Sequence, residues 1–355
     1  MVERRNRRRE EGRIKEARNG RSAQLENRNR QAASERKKKA RRKKQRQRVV
    51  ISALIEILIL VLLAGAFCWN RGLGTKISGF FGRFDRPPVK ELDVTGVNSS
   101  NVVLMDVKSG KVIGDLNGKE QIYPASMTKI MTAIVALETF SDLDREITLS
   151  EDIFYALDGQ DATQAGFRPG ESVRVRDLVY GVMLPSGAEC CLALADEVSG
   201  SEEAFVEKMN KKAKSIGMKD THFMDCTGLH DPEHYSTAYD IALLLKYALH
   251  NDTFRDVAES HFHSTPATNV HPDGITYYST MFKNMSDTSV TGGEILGGKT
   301  GYTSEAGHCL ASFAQIYDRE YILVTAGAAA DATGVPHILD AKTIYNRLGE
   351  AVAQK

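Results

Sequence analysis

The chain has 355 residues, 26% of them charged, and a formal net charge of +1. That length holds one large domain plus an appendage, and the near-neutral total excludes a uniformly basic or acidic protein. The five cysteines include no Cys-x-x-Cys pair, which removes the commonest thiolate metal site.

The near-zero charge conceals a sharp split. Residues 1–48 hold 21 Lys and Arg against 6 Glu, a net +15, which leaves −14 for the remainder. Such a block reads as a basic arm, disordered or partly helical in isolation. Nucleic acid is not expected as its partner: the arm has no aromatic residue to stack on bases. Residues 49–69 are apolar but for Ser52 and Glu56, and these 21 residues are enough to cross a bilayer. The flanking charge then puts 1–48 in the cytoplasm and 70–355 outside the cell membrane, in single-pass topology. The arm would lie close to anionic headgroups. Ala64-Gly-Ala66 also resembles a signal-peptide cleavage site; the long preceding arm makes an uncleaved transmembrane anchor the preferred reading. Glu56 is read as one tolerated acid in a Leu/Ile-rich run. Residues 70–95, with Gly, scattered charge and Arg86-Pro-Pro-Val89, read as an extracytoplasmic stalk.

A folded domain is expected over 96–355. Residues 101–107 and 111–114 flank a Lys108-Ser-Gly110 turn, a hairpin signal. Next comes Tyr123-Pro-Ala-Ser-Met-Thr-Lys129. Met127, Ile130, Met131, Ile134, Val135 and Leu137 recur near the helical period, which predicts a buried amphipathic helix with Pro124 at its start. Residues three apart on a helix share a face, so Ser126 and Lys129 can touch. A serine needs a base to become a nucleophile, and a buried lysine beside it can serve. Backbone N–H groups near Ser126 could stabilise an oxyanion.

Residues 150–250 read as mainly helical. They include Val182-Met-Leu-Pro-Ser186-Gly187-Ala188-Glu189. Cys190 and Cys191 are vicinal and poorly placed to pair; with Cys226 and Cys309 they are expected to be buried free thiols. His230 and His234 lie four apart across Pro232, and His261 and His263 lie two apart. Neither makes a complete ligand set, so no metal is expected. Lys299-Thr300-Gly301 follows Lys129 by about 170 residues. The glycine permits close approach of a ligand backbone to an edge strand. Lysine and threonine suit a carboxylate. Residues 308–316 and 321–326 predict a second hairpin, and 337–352 a closing helix. Strands at both ends with helices between them imply an α+β domain.

Ser-x-x-Lys with a downstream Lys-Thr-Gly resembles the penicillin-interacting serine enzymes. Lys299-Thr-Gly-Tyr-Thr-Ser-Glu-Ala-Gly-His-Cys-Leu310, Phe205-Val-Glu-Lys-Met-Asn210, Thr227-Gly-Leu-His230 and His234-Tyr-Ser-Thr-Ala-Tyr-Asp240 narrow the likeness. Together they resemble the serine-type D-Ala-D-Ala carboxypeptidases, the low-molecular-mass penicillin-binding proteins. The resemblance covers roughly 98–327. It implies a β-lactamase/transpeptidase-like fold: an antiparallel sheet flanked by helices, with an inserted helical subdomain.

It also implies roles. Ser126 attacks the penultimate D-alanine carbonyl of a peptidoglycan stem peptide, and Lys129 is the general base. Ser186 relays a proton between Lys129, the substrate nitrogen and Lys299. Lys299, Thr300 and Gly301 bind the substrate's end, and the backbone N–H groups of Ser126 and Tyr302 form the oxyanion hole. No cofactor or metal is implied, and a β-lactam would acylate Ser126. The family usually has Ser-Gly-Asn at the second motif; Ala188 replaces the Asn here, so a substrate hydrogen bond is missing. The resemblance leaves two other readings: a β-lactamase on the same fold, and a catalytically weak wall-binding scaffold. No Glu-x-x-x-Asn pattern follows the second motif to favour the lactamase.

Overall fold

The computed structural model describes residues 89–330 and 334–354. The expected arm (1–48), span (49–69) and most of the stalk (70–88) lie outside the described residues. Among the described residues no helix is long and apolar enough to cross a membrane.

A hairpin, a three-stranded meander and a short strand build one antiparallel sheet. Its strands are β1 (Asn101–Asp106), β2 (Val112–Leu116), β3 (Ser289–Val290), β4 (Gly293–Thr303), β5 (Gly307–Ile316) and β6 (Arg319–Ala328). Their order is β2-β1-β6-β5-β4-β3, every pairing antiparallel. The first strand of the described domain therefore pairs with the last, β1 with β6. Both predicted hairpins are present.

β1 is buried at all six positions. The reason is that both sheet faces are covered. Val103 and Met105 join the core of the helical side, and Val102 and Leu104 join a second core on the other face. Period-two geometry sends successive residues to opposite faces, so a strand covered twice is apolar throughout. The second core is closed by the helix Pro336–Ala353, which presents Ile338, Ala341, Ile344, Tyr345, Leu348 and Val352 to the sheet. Asp340 on that helix accepts from Asn98 N (2.9 Å), Asn98 Nδ2 (2.9 Å), Ser99 N (2.8 Å) and Ser99 Oγ (2.6 Å). It thereby pins the approach to β1.

The inserted helices are α1 (Lys129–Thr139), α2 (Val175–Met183), α3 (Ala188–Ser199), α4 (Glu202–Ile216), α5 (Ala238–Ala248) and α6 (Asp252–Glu259). The closing helix is α7. The sequence reading of α1 needs correction. It is buried at every position from Lys129 to Leu137, not on one stripe, because α2, α3, α4, α5 and α6 all pack around it. A second correction concerns 89–95, read as the stalk's end. Val89 and Val94 are buried in the second core, and Leu92 N–H donates to Ile113 O at 2.6 Å.

Candidate active site

Ser126 does not sit on α1. It lies in a 3-10 turn, Ala125–Thr128, and the α-helix begins at Lys129. The turn starts from Ala125 at φ +47, a left-handed conformation that costs a non-glycine residue on the order of 1 kcal/mol. Gly228, at φ +82, packs against it so closely that a Cβ there would stand 1.9 Å from Ala125 O. The turn and the 225–228 loop thus interlock through one residue that must be glycine.

The 3-10 register still brings residues three apart together. Lys129 Nζ donates to Ser126 Oγ at 3.2 Å and to Thr227 O at 2.6 Å. The carbonyl of Thr227 is a partner that residue type cannot reveal, since every residue carries one. Its loop is fastened by Asp225, whose Oδ1 accepts from Thr227 N, Thr227 Oγ1 and Gly228 N at 2.6–2.8 Å. The other oxygen lies 3.1 Å from His234 Nδ1, and His234 Nε2 lies 2.9 Å from Thr128 Oγ1. Burial works against charge on Asp225, yet His234 and the loop bonds prevail and hold it at about 2. His234 is therefore a strut between the turn and the 225–228 loop. Among the described residues no group of three His, Cys, Asp or Glu is placed to hold a metal ion.

Ser186 lies between α2 and α3 at φ +71. Lys299 Nζ donates to Ser186 Oγ at 3.0 Å and to Thr300 O at 2.8 Å. No hydrogen bond joins Lys129 to Ser186 among the described residues, so the serine's resting partner is Lys299. Lys299 is only 1% exposed. Burial first, then the charge of Lys129, pushes its amine well below the usual lysine range. Lys299 thus faces inward to Ser186, while Thr300 is half-buried. Thr300 Oγ1 lies 2.6 Å from Thr280 Oγ1, and Thr280 N–H donates to Leu184 O at 3.0 Å. This short helix, Thr280–Asn284, ties the Lys-Thr-Gly strand to the second motif. No sequence signal marked Thr280.

β3 pairs only with Gly293 and Glu294 of β4, which leaves the 299–303 stretch facing the 3-10 turn. A Cβ at Gly301 would meet Ser126 N at 3.0 Å, Ala125 Cβ at 3.1 Å and Pro124 O at 3.2 Å. Glycine at 301 therefore lets the strand lie against the backbone of Ser126. Tyr302 follows on β4, its side chain 56% exposed and its ring 4.5 Å from that of His308.

Ala188 is 1% exposed, and its N–H donates to Thr163 O at 2.8 Å. Beside it, Glu189 accepts from Ala165 N (2.6 Å) and Gly166 N (2.9 Å) through Oε1. Burial raises this carboxyl above the usual range despite those bonds. The 163–166 segment is thereby clasped to the second motif. The four described cysteines are buried, and burial pushes Cys191 up to about 12 and Cys309 to about 11, far from thiolate chemistry.

Chemically, the arrangement offers a serine with an amine in reach, a second serine with a second amine, and an open strand edge beside both. Comparisons with known proteins bear on the family and the fold. A family model described as D-alanyl-D-alanine carboxypeptidase matches residues 89–330. D-alanyl-D-alanine carboxypeptidase DacF of Bacillus subtilis is 34% identical over 237 residues, 65% of this chain and 58% of that protein. DacC of Escherichia coli is 32% identical over 250 residues, 68% of this chain and 59% of that protein. The chain thus spans just under three-fifths of the length of these relatives. Among solved structures, a variant of the Streptomyces K15 DD-transpeptidase superposes with TM-score 0.66 at 28% identity, covering 72% of this chain and 98% of that one. The fold is accordingly the α+β penicillin-binding, transpeptidase-like fold, and the chain belongs to the D-alanyl-D-alanine carboxypeptidase family, peptidase S11.

Proposed function

We propose that the protein is a membrane-anchored serine D-Ala-D-Ala carboxypeptidase that trims the terminal D-alanine from peptidoglycan stem peptides. The observation that carries this reading is the pair of contacts Lys129 Nζ–Ser126 Oγ (3.2 Å) and Lys299 Nζ–Ser186 Oγ (3.0 Å) beside the Gly301 edge. Ser126 Oγ bonds to the penultimate D-alanine carbonyl as Lys129 takes its proton. The oxyanion is held by the N–H groups of Ser126 and Tyr302. The C–N bond then breaks, and the departing nitrogen receives a proton through Ser186, which Lys299 orients. Water hydrolyses the ester and regenerates Ser126. Thr300 binds the terminal carboxylate, with Lys299 supplying field from below. Residues 49–69 anchor the chain, the basic arm stays cytoplasmic and the catalytic domain is extracytoplasmic; the 21-residue apolar run and the charge before it support this.

The test uses the full chain in detergent with benzylpenicillin and with an N-acylated peptide ending in D-Ala-D-Ala. A long-lived adduct of one drug mass, absent in Ser126→Ala, together with D-alanine release, is expected. Rapid drug loss without an adduct would make it a β-lactamase. Neither adduct nor release would leave only a wall-binding scaffold.

A further inference from the structure

Beside Ser186 and Thr300 lies a cavity of about 770 Å³ that the mechanism above does not use. Two of its wall residues adjoin the machinery directly. Pro185 precedes Ser186, and Thr280 shares a 2.6 Å contact with Thr300. Most of the remaining lining is aromatic. Phe262 and Tyr278 face each other across a two-stranded ribbon, Phe262–Ser264 with Thr276–Tyr278, their ring centroids 6.1 Å apart. Each is 59% exposed, although large aromatic side chains are ordinarily well covered. His261 stacks on Phe282 at 3.8 Å, and its carbonyl accepts from Ser279 N, which stiffens that side. Lys283 stands at the rim, exposed.

The direction of the substrate places this cavity. The scissile carbonyl must sit by Ser126 N, where Gly301 closes in. Stepping back along β4 from Gly301 to Thr300 leads toward Ser186, the group that meets the departing nitrogen. The departing residue therefore lies over Ser186 and Thr300, and the two residues that flank these, Pro185 and Thr280, open into the aromatic cavity. A methyl side chain would leave most of that space unfilled. An aromatic-walled cavity with a few convergent polar groups is the ordinary form of a binding subsite.

We infer that the cavity is a leaving-group subsite for a C-terminal D-amino acid with a large apolar or aromatic side chain, whose carboxylate lies between Thr300 and Lys283. This rests on the carboxypeptidase reading and extends it from D-alanine to larger D-residues. The aromatic walls take the side chain, and the exposed ammonium of Lys283 complements the carboxylate.

The experiment compares release from two N-acylated peptides, one ending D-Ala-D-Ala and one ending D-Ala-D-Phe, by the full chain and by Phe262→Ala and Tyr278→Ala. Penicillin acylation of Ser126 serves as the check that each variant is folded. The expected result is that kcat/KM for the D-Phe peptide equals or exceeds that for the D-Ala peptide. Each variant should lower this ratio about tenfold, the usual effect of emptying part of an apolar pocket. Cleavage of the D-Ala peptide with no cleavage of the D-Phe peptide would overturn the subsite and leave the carboxypeptidase standing. Cleavage of both with a ratio unmoved in the variants would overturn the assignment to this cavity. Cleavage of neither would overturn the hydrolase reading and the subsite with it.

Discussion

The two faces of the sheet solve opposite problems. Under α7 the second core is apolar, and its polar clamp is satisfied: Asp340 takes four hydrogen bonds from Asn98 and Ser99. On the helical face the chain buries two lysines near each other and holds Ala125 and Ser186 at positive φ. Both faces also hold buried polar atoms without a partner among the described residues, Glu189 Oε2 beside the site and Tyr321 Oη and His337 Nδ1 on the α7 side. The buried lysine pair is what sets the site's face apart, and the apolar packing of the other face supplies stability that offsets its cost.

Removing the buried amine of Lys299 breaks the contrast most sharply. On the proposed mechanism, Lys299→Met should lower penicillin acylation of Ser126 by about a thousandfold, since Ser186 loses the amine that donates to it. It should change the melting temperature little, because the two hydrogen bonds lost to Ser186 Oγ and Thr300 O are offset by relief of a desolvated amine. A parallel fall in melting temperature and acylation would show that Lys299 is structural. The converse change is Asp340→Ala, which leaves the donors of Asn98 and Ser99 unpaired. It should cost about 3 kcal/mol in urea unfolding while the acylation rate per folded molecule stays the same. A changed rate would mean the two faces are coupled.

Smaller effects sharpen the picture. Gly301→Ala puts a methyl 3.0 Å from Ser126 N, so acylation should slow by tens of fold, with about 1–2 kcal/mol lost in urea unfolding from the overpacked turn. The pH dependence distinguishes the faces again. His337 on α7 is 4% exposed, and burial, then the His308 ring stacked 5.0 Å away, lowers its pKa from 6.5 to about 4. Between those values the unfolded chain binds the extra proton, so stability falls as pH falls. The loss between pH 6.5 and 5 should be about 1.5 kcal/mol, and His337→Phe should flatten that stretch of the profile. An unchanged slope in the variant would assign the titration elsewhere.

Much of the site was legible beforehand, and for a local reason. Ser126 and Lys129 are three apart, and both 3-10 and α geometry bring such residues together, so misjudging the helix type did no harm to the pairing. The two hairpins and α7 were legible because turn residues and periodicity are local as well. The burial of α1 on every side was not, because its sequence does not state how many helices surround it. Nor were Thr227 O, the Asp225–His234 strut or Thr280. Thr227 O acts as a backbone carbonyl, and the others act through contacts whose chemistry is ordinary for their residue types.

By itself, the sequence determined which groups could act: a serine with a lysine one turn on, a second serine, a Lys-Thr-Gly strand and an apolar run after a basic arm. The tertiary structure alone decided which groups meet. Lys129 reaches a carbonyl 98 residues away, and Lys299 reaches Ser186 across 113. Those distances are set by the two-sided sheet and by the interlock of Gly228 and Gly301 with the Ser126 turn. Hydrogen bonds and buried charge depend on ångström-scale placement, and placement between remote segments is a property of the packed chain and not of any local stretch of it.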